Sequence, residues 1–83
     1  MSGRNSLEPG IIAYVLARIN LGMEYEVLDQ VTKLPNVEEA RVVYGEYDMV
    51  IKVKVSNMRE LDKLVTYIRK LNGVITTTTL ISS

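Results

Sequence analysis

The feature that most constrains the fold is a glycine-centred segment, Val43–Asp48, between two runs of residues that favour strands. The runs are Val37 to Val43 and Met49 to Val55, and both are rich in the β-branched side chains typical of strands. Gly45 lies between them, and glycine reaches positive φ angles without a Cβ clash. The pattern therefore predicts a β-hairpin with its turn at Val43–Asp48.

The residues around Gly45 also indicate a candidate binding site. A turn requires the glycine, but it does not require Tyr44, Tyr47 and Asp48 beside it. One interpretation is structural: Asp48 hydrogen-bonds turn amides, and the tyrosines cover the end of the sheet. The other is a site for a small polar ligand, in which Asp48 holds an ammonium group, turn amides hold a carboxylate and a tyrosine forms an apolar wall. The residues alone leave both interpretations open.

The first part of the sequence predicts a strand followed by a helix. Ile11 to Ile19 is a nearly continuous apolar run, which predicts a strand buried on both faces. In the predicted helix, Lys33 occupies the last turn and Pro35 follows the end. The apolar residues of this helix recur at helical spacing: Met23, Val27, Val31 and Leu34.

The last part of the chain repeats this order. Ser56-Asn57 followed by Glu60 predicts an N-cap and its capping-box partner at the start of a second helix. The apolar stripe of that helix comprises Met58, Leu61, Leu64, Val65, Ile68 and Leu71. Asn72-Gly73 is predicted to end the helix as a left-handed C-cap, and Val74 to Ile81 is predicted to form a fourth strand.

The order β-α-β-β-α-β predicts an α+β, ferredoxin-like sandwich: a four-stranded antiparallel sheet with two helices on one face. We expect one domain over residues 11–83 and a flexible leader over residues 1–10. Both alternating sets of residues on the first strand are apolar, so the open face of the sheet should pack against a second copy. The sequence therefore predicts a two-fold dimer formed through the sheets.

Composition argues against several classes of function. The 10 basic and 10 acidic residues are interspersed and give a formal net charge of zero, unlike a nucleic-acid-binding surface. There is no Cys and no His, which removes thiol nucleophiles, histidine bases and the commonest transition-metal ligands. The longest apolar run, Ile11 to Ala17, is too short to cross a membrane. We expect a cytoplasmic protein that is not an enzyme and carries no metal or cofactor.

Two further features contain candidate binding residues. Thr76-Thr77-Thr78-Thr79 suits an exposed edge strand, and its alternation puts two hydroxyls on each face, where they could donate to a ligand carboxylate. Asp62 belongs to a charged helix face whose simplest interpretation is solvation.

These patterns together resemble the effector-binding domain of the leucine-responsive regulator/AsnC (Lrp/AsnC) family, called the regulator of amino-acid metabolism (RAM) domain. The resemblance rests on the Gly45-x-Tyr47-Asp48 turn, the apolar pattern around it and the threonine-rich strand, and it extends from Ile11 to Ile81. It implies a βαββαβ sandwich, dimers formed through the sheets and rings of dimers, often octamers. It also implies that small effectors, usually amino acids, bind at boundaries between dimers.

The resemblance assigns ligand binding to ten positions of this sequence: Val43, Tyr44, Gly45, Glu46, Tyr47, Asp48, Asp62, Thr77, Thr78 and Thr79. The function it implies is a non-enzymatic amino-acid-binding and oligomerisation module, related to transcriptional regulators but lacking its own DNA-binding domain. An Asp48→Ala variant would then lose binding and keep its fold. The alternative is a purely structural partner that co-assembles with full-length regulators and has no ligand of its own.

Overall fold

The structure is a computed structural model that describes residues 10–82, so nearly all of the predicted leader lies outside the described residues. The elements are β1 (Ile11–Ile19), α1 (Glu24–Thr32), β2 (Val37–Val42), β3 (Met49–Val55), α2 (Met58–Arg69) and β4 (Val74–Ile81). The four strands form one antiparallel sheet in the order β2-β3-β1-β4. This arrangement confirms the predicted βαββαβ fold.

One face of the sheet forms the core with both helices. The strict alternation of β3 buries every second residue, from Met49 to Val55, and the central residues of β1 on the same face have no exposed surface. These strand residues form a single cluster with the buried residues of the helices, which are Val27, Val31, Leu61, Leu64 and Ile68. Within residues 10–82, no helix is long and apolar enough to cross a membrane.

The prediction that β1 is buried on both faces is wrong for the single chain. Ala13, Val15 and Ala17 are fully buried against the helices, whereas Tyr14 and Leu16, which face the other way, are only half-buried. The reason is that both helices of the described residues cover the same face. The opposite surface, here called the open face, remains accessible.

Helix starts were predicted better than helix ends. As expected, Asn57 caps α2: its side chain accepts a hydrogen bond from the Glu60 amide at 2.9 Å, and the Glu60 carboxylate accepts one from the Ser56 amide at 2.6 Å. However, α2 ends at Arg69 with Lys70 as a right-handed C-cap, so Asn72-Gly73 is not the cap.

Two other predicted boundaries were also slightly too long. Helix α1 ends at Thr32, which makes Lys33 its C-cap rather than part of the last turn. Strand β2 ends at Val42, one residue before the predicted Val43. In both cases, the regular backbone hydrogen bonds stop at the end of the element, whereas the apolar pattern of the sequence continues beyond it.

Gly73 has a different role, in the turn that leads into β4. Its φ is +103°, and an added Cβ would lie 3.1 Å from both Met23 Cε and Val27 Cγ2. Its carbonyl accepts a hydrogen bond of 2.8 Å from the Asn20 amide, which joins the loops that follow β1 and α2. Glycine is therefore required here both for its backbone conformation and for the close approach of α1.

We predict that Gly73→Ala destabilises the protein more than Gly22→Ala. Gly22 also has a positive φ of +90°, but an added Cβ there would meet no atom within 4 Å. Gly22→Ala should lower the free energy of unfolding by about 1 kcal/mol through backbone strain alone. Gly73→Ala should lower it by about 1 kcal/mol more, because Met23 and Val27 must move. Equal losses in denaturant unfolding would contradict this account of the close approach.

Candidate functional site

Asp48 fixes the hairpin turn to the end of β1. Its Oδ2 accepts a hydrogen bond of 2.8 Å from the Ile19 amide, and its own amide donates one of 2.9 Å to the Ala17 carbonyl. Its carbonyl accepts a third, of 2.9 Å, from the Val43 amide. Asp48 therefore has a structural role, but its carboxylate bonds a strand amide rather than the turn amides that the sequence suggested.

The turn itself presents polar backbone groups to solvent. Gly45 has a φ of +134°, as a glycine-dependent turn requires, and Tyr44, Gly45 and Glu46 are exposed. Within residues 10–82, the backbone amides of Tyr44, Gly45, Glu46 and Tyr47 donate no hydrogen bond. Successive free amides of this kind are suited to an anionic group such as a carboxylate.

Tyr47 links the turn to the threonine-rich strand. Its hydroxyl donates a hydrogen bond of 3.0 Å to Thr78 Oγ1. Thr78 lies directly opposite Leu16 and therefore on the open face of the sheet. Of the three threonines assigned to the site, Thr78 is the one that this bond connects to the turn.

The other assigned residues lie elsewhere in the single chain. Thr77 and Thr79 are opposite the buried residues Ala17 and Val15, on the helix face, so the predicted split of hydroxyls between the two faces is confirmed. Thr79 and Asp62 line a groove of about 560 Å³ between α2 and β4. Thr77 lines a different groove, near the end of α2. These three residues are not brought to the turn.

A groove of about 310 Å³ lies beside the turn, and sequence reasoning missed part of its lining. It is lined by Leu21, Glu24, Tyr25, Val42, Val43, Tyr44 and Asp48. We call this groove the acidic groove because its two charged side chains, Glu24 and Asp48, are both carboxylates. Leu21 and Tyr44 are each 96% exposed, and Tyr25 is 71% exposed. The missed signal was Leu21, a large apolar side chain between the turn-forming residues Asn20 and Gly22.

The described residues contain no group of three or more His, Cys, Asp or Glu side chains placed to hold a metal ion. The two carboxylates of the acidic groove are better suited to a cationic group such as an ammonium.

Comparison with known proteins identifies the domain. A family model described as the Lrp/AsnC ligand-binding domain matches residues 12–83. The chain belongs to this family. The match confirms the resemblance drawn from the Gly-x-Tyr-Asp turn and the threonine-rich strand, and it relates the chain to transcriptional regulators.

The similar proteins include both longer regulators and chains of comparable size. An uncharacterized HTH-type transcriptional regulator of Pyrococcus furiosus is 38% identical over 80 residues, which are 92% of this chain and 53% of that protein. This Lrp/AsnC chain thus spans about half the length of the curated relatives it matches. The crystal structure of FFRP-DM1 has a TM-score of 0.85 and 38% identity, and the match covers 88% of this chain and 99% of that one.

The fold is shared more widely. A transcriptional regulator from Neisseria meningitidis, solved as a complex with L-Met, has a TM-score of 0.82 at 19% identity. The match covers 100% of this chain and 56% of that one. At this identity, the similarity shows only that this chain and part of that regulator share a fold.

We predict that Asp48→Ala destabilises this Lrp/AsnC domain and that Asp48→Asn does so much less. Alanine leaves the amide of the buried Ile19 without its acceptor, which should cost about 1–3 kcal/mol of unfolding free energy. The side-chain oxygen of asparagine can still accept that bond. The expectation that Asp48→Ala spares the fold is therefore revised. Denaturant unfolding of the two variants checks this, and an equal loss in both would contradict it.

Proposed function

We propose that this Lrp/AsnC domain binds a free amino acid at the Val43–Asp48 turn and that two copies pair through their open faces. The observation that carries the proposal is the pairing of opposite polar groups at one exposed turn. Four successive amides without partners in residues 10–82 lie next to a carboxylate, Asp48. A free amino acid presents one carboxylate and one ammonium, which are complementary to these two kinds of group.

Each part of the turn has a role in this proposal. Asp48 uses Oδ2 to hold Ile19, so Oδ1 remains to accept from the ligand ammonium. The amides of Gly45, Glu46 and Tyr47 donate to the ligand carboxylate. Tyr44, whose ring is fully accessible, forms the wall against the ligand side chain. Thr78, through the hydroxyl of Tyr47, holds that side of the turn in place.

The ligand class is supported by a structural neighbour. The Neisseria meningitidis regulator, which contains a domain of this fold, was solved as a complex with L-Met, so a protein built on this fold binds an amino acid. At 19% identity, that complex supports the class of ligand only. Which amino acid binds here is expected to depend on the side chains of this chain.

The open face supports the dimer. Tyr14, Leu16 and Val50 are half-buried apolar residues on a face that the helices leave uncovered. Such a surface is suited to packing against a second sheet. Val43 lines both a groove on this face and the acidic groove, so a partner sheet would lie next to the start of the turn. Ligand binding and pairing would then stabilise each other.

The proposal predicts a selective stabilisation by one or a few amino acids. Thermal unfolding should be followed against a panel of the twenty amino acids, with the oligomeric state monitored by light scattering. A ligand at one hundred times its dissociation constant should add about 2.7 kcal/mol to the unfolding free energy, and saturation should follow. A flat panel on a well-assembled protein would contradict the proposal and favour a structural co-assembly partner without a ligand.

Asp48→Asn should separate the ligand role of Asp48 from its structural role. We expect the affinity for the selected amino acid to fall at least about tenfold in calorimetry, because the charge opposite the ammonium is lost. The matched control is Glu26→Gln, which removes an exposed charge of α1 outside the turn and should change affinity by less than about threefold. Unchanged affinity in Asp48→Asn would refute the assignment.

A further inference from the structure

The acidic groove connects the turn to the start of α1. Asp48 and Tyr44 belong both to the groove and to the proposed amino-acid site. Glu24 and Tyr25 come from the first turn of α1, and Leu21 comes from the loop before it. An amino acid held at the turn directs its side chain towards Tyr44 and therefore into this groove. The lining of the groove then determines which side chains the site accepts.

Glu24 is a half-buried carboxylate with only one oxygen in use. Its Oε1 accepts a hydrogen bond of 3.0 Å from the Gly22 amide, which fixes the side chain to the loop between β1 and α1. The carboxylate forms no ion pair with any residue in 10–82, so Oε2 remains available to a ligand. Asp48 has the same arrangement, since its Oδ2 accepts the Ile19 amide and Oδ1 is left.

The charged groups of the groove match those of a cationic amino acid. The lining contains two carboxylates and no Lys or Arg. With the ligand carboxylate on the turn amides and its α-ammonium on Asp48, Glu24 still lacks a counter-ion. A neutral side chain would leave it so, and an acidic side chain would add a third negative charge beside the two. A positive charge at the end of the side chain supplies the missing partner through charge-assisted hydrogen bonds.

The rest of the lining suits a long, unbranched side chain that ends in a charge. Leu21, Tyr25 and Tyr44 are exposed in the groove, and the methylene groups of lysine or arginine pack well against such apolar surfaces. Tyrosine rings also attract cations to their faces. The volume of about 310 Å³ is near the lower end of the range for small-molecule sites, which favours a single free amino acid.

We propose that the site selects amino acids with a positively charged side chain, such as lysine and arginine, and that Glu24 makes this selection. The side-chain ammonium or guanidinium donates to Glu24, between the rings of Tyr25 and Tyr44. The inference rests on the proposed function, which supplies the orientation of the ligand. It adds the class of amino acid and a specificity-determining residue that lies outside the turn.

Three ligands that differ in single groups test the selection. L-lysine has all the charged groups, L-norleucine lacks only the side-chain ammonium, and cadaverine lacks only the carboxylate. In calorimetry at low salt, lysine should bind at least about tenfold more tightly than either of the other two, because each lacks one charge-assisted set of bonds. L-glutamate should bind more weakly than norleucine.

Glu24→Gln separates the selection from the rest of the site. Glutamine keeps a side-chain oxygen that can accept the Gly22 amide, so the variant should fold like the wild type in circular dichroism. Its affinity for lysine should fall about tenfold, whereas its affinity for norleucine should change by less than about threefold. The matched control is Glu26→Gln, which removes an exposed charge from the same turn of α1, outside the groove, and should keep the preference for lysine.

The outcomes distinguish this inference from the proposed function. If the wild type binds norleucine as tightly as lysine, or if Glu24→Gln keeps the preference for lysine, the inference is overturned and amino-acid binding at the turn stands. Cadaverine binding as tight as that of lysine would also overturn it, because the turn amides would then contribute nothing. A protein that binds none of the twenty amino acids would overturn the proposed function and the selection together.

Discussion

The end of the molecule that carries the Val43–Asp48 turn depends on Asp48, which makes two hydrogen bonds to β1 and one to Val43, the residue that follows β2. Its carboxylate and amide hold the end of β1, at Ile19 and Ala17, and its carbonyl closes the hairpin at Val43. Without these bonds, the turn would be joined to the sheet only through β2 and β3. These bonds hold the turn at the end of β1, where it lines one groove together with the start of α1. One carboxylate thus contributes to both the fold and the proposed chemistry.

The second constraint is that a short chain can cover only part of its apolar surface. Both helices lie on one face, where they complete the core, and the open face retains half-buried residues such as Tyr14 and Leu16. Leu21, Tyr44 and Ile75 are exposed at the end of the sheet. A domain of this size gains stability when such surfaces are covered by other copies. The proposed ligand site at the turn and the proposed pairing through the open face are therefore expected to be neighbours.

The sequence predicted the strands, the helices and their order, because alternation in β3 and helical spacing in α2 are strong local signals. Helix ends were less predictable, since the apolar pattern runs on to Leu71 after regular hydrogen bonding stops at Arg69. At the site, the turn was recognisable from Gly45. Its attachment to Ile19 was not, because that bond joins residues 29 positions apart. The separation of Thr77 and Thr79 from the turn similarly depends on strand register.

The central claim is that the turn amides bind the carboxylate of a free amino acid, and amide hydrogen exchange measures this most directly. The exchange of individual backbone amides should be compared by NMR with and without the amino acid that stabilises the protein. The account predicts new protection at Gly45, Glu46 and Tyr47, amides that have no partner in residues 10–82 without ligand. Protection confined to the groove of Asp62 and Thr79, with the turn unchanged, would contradict it.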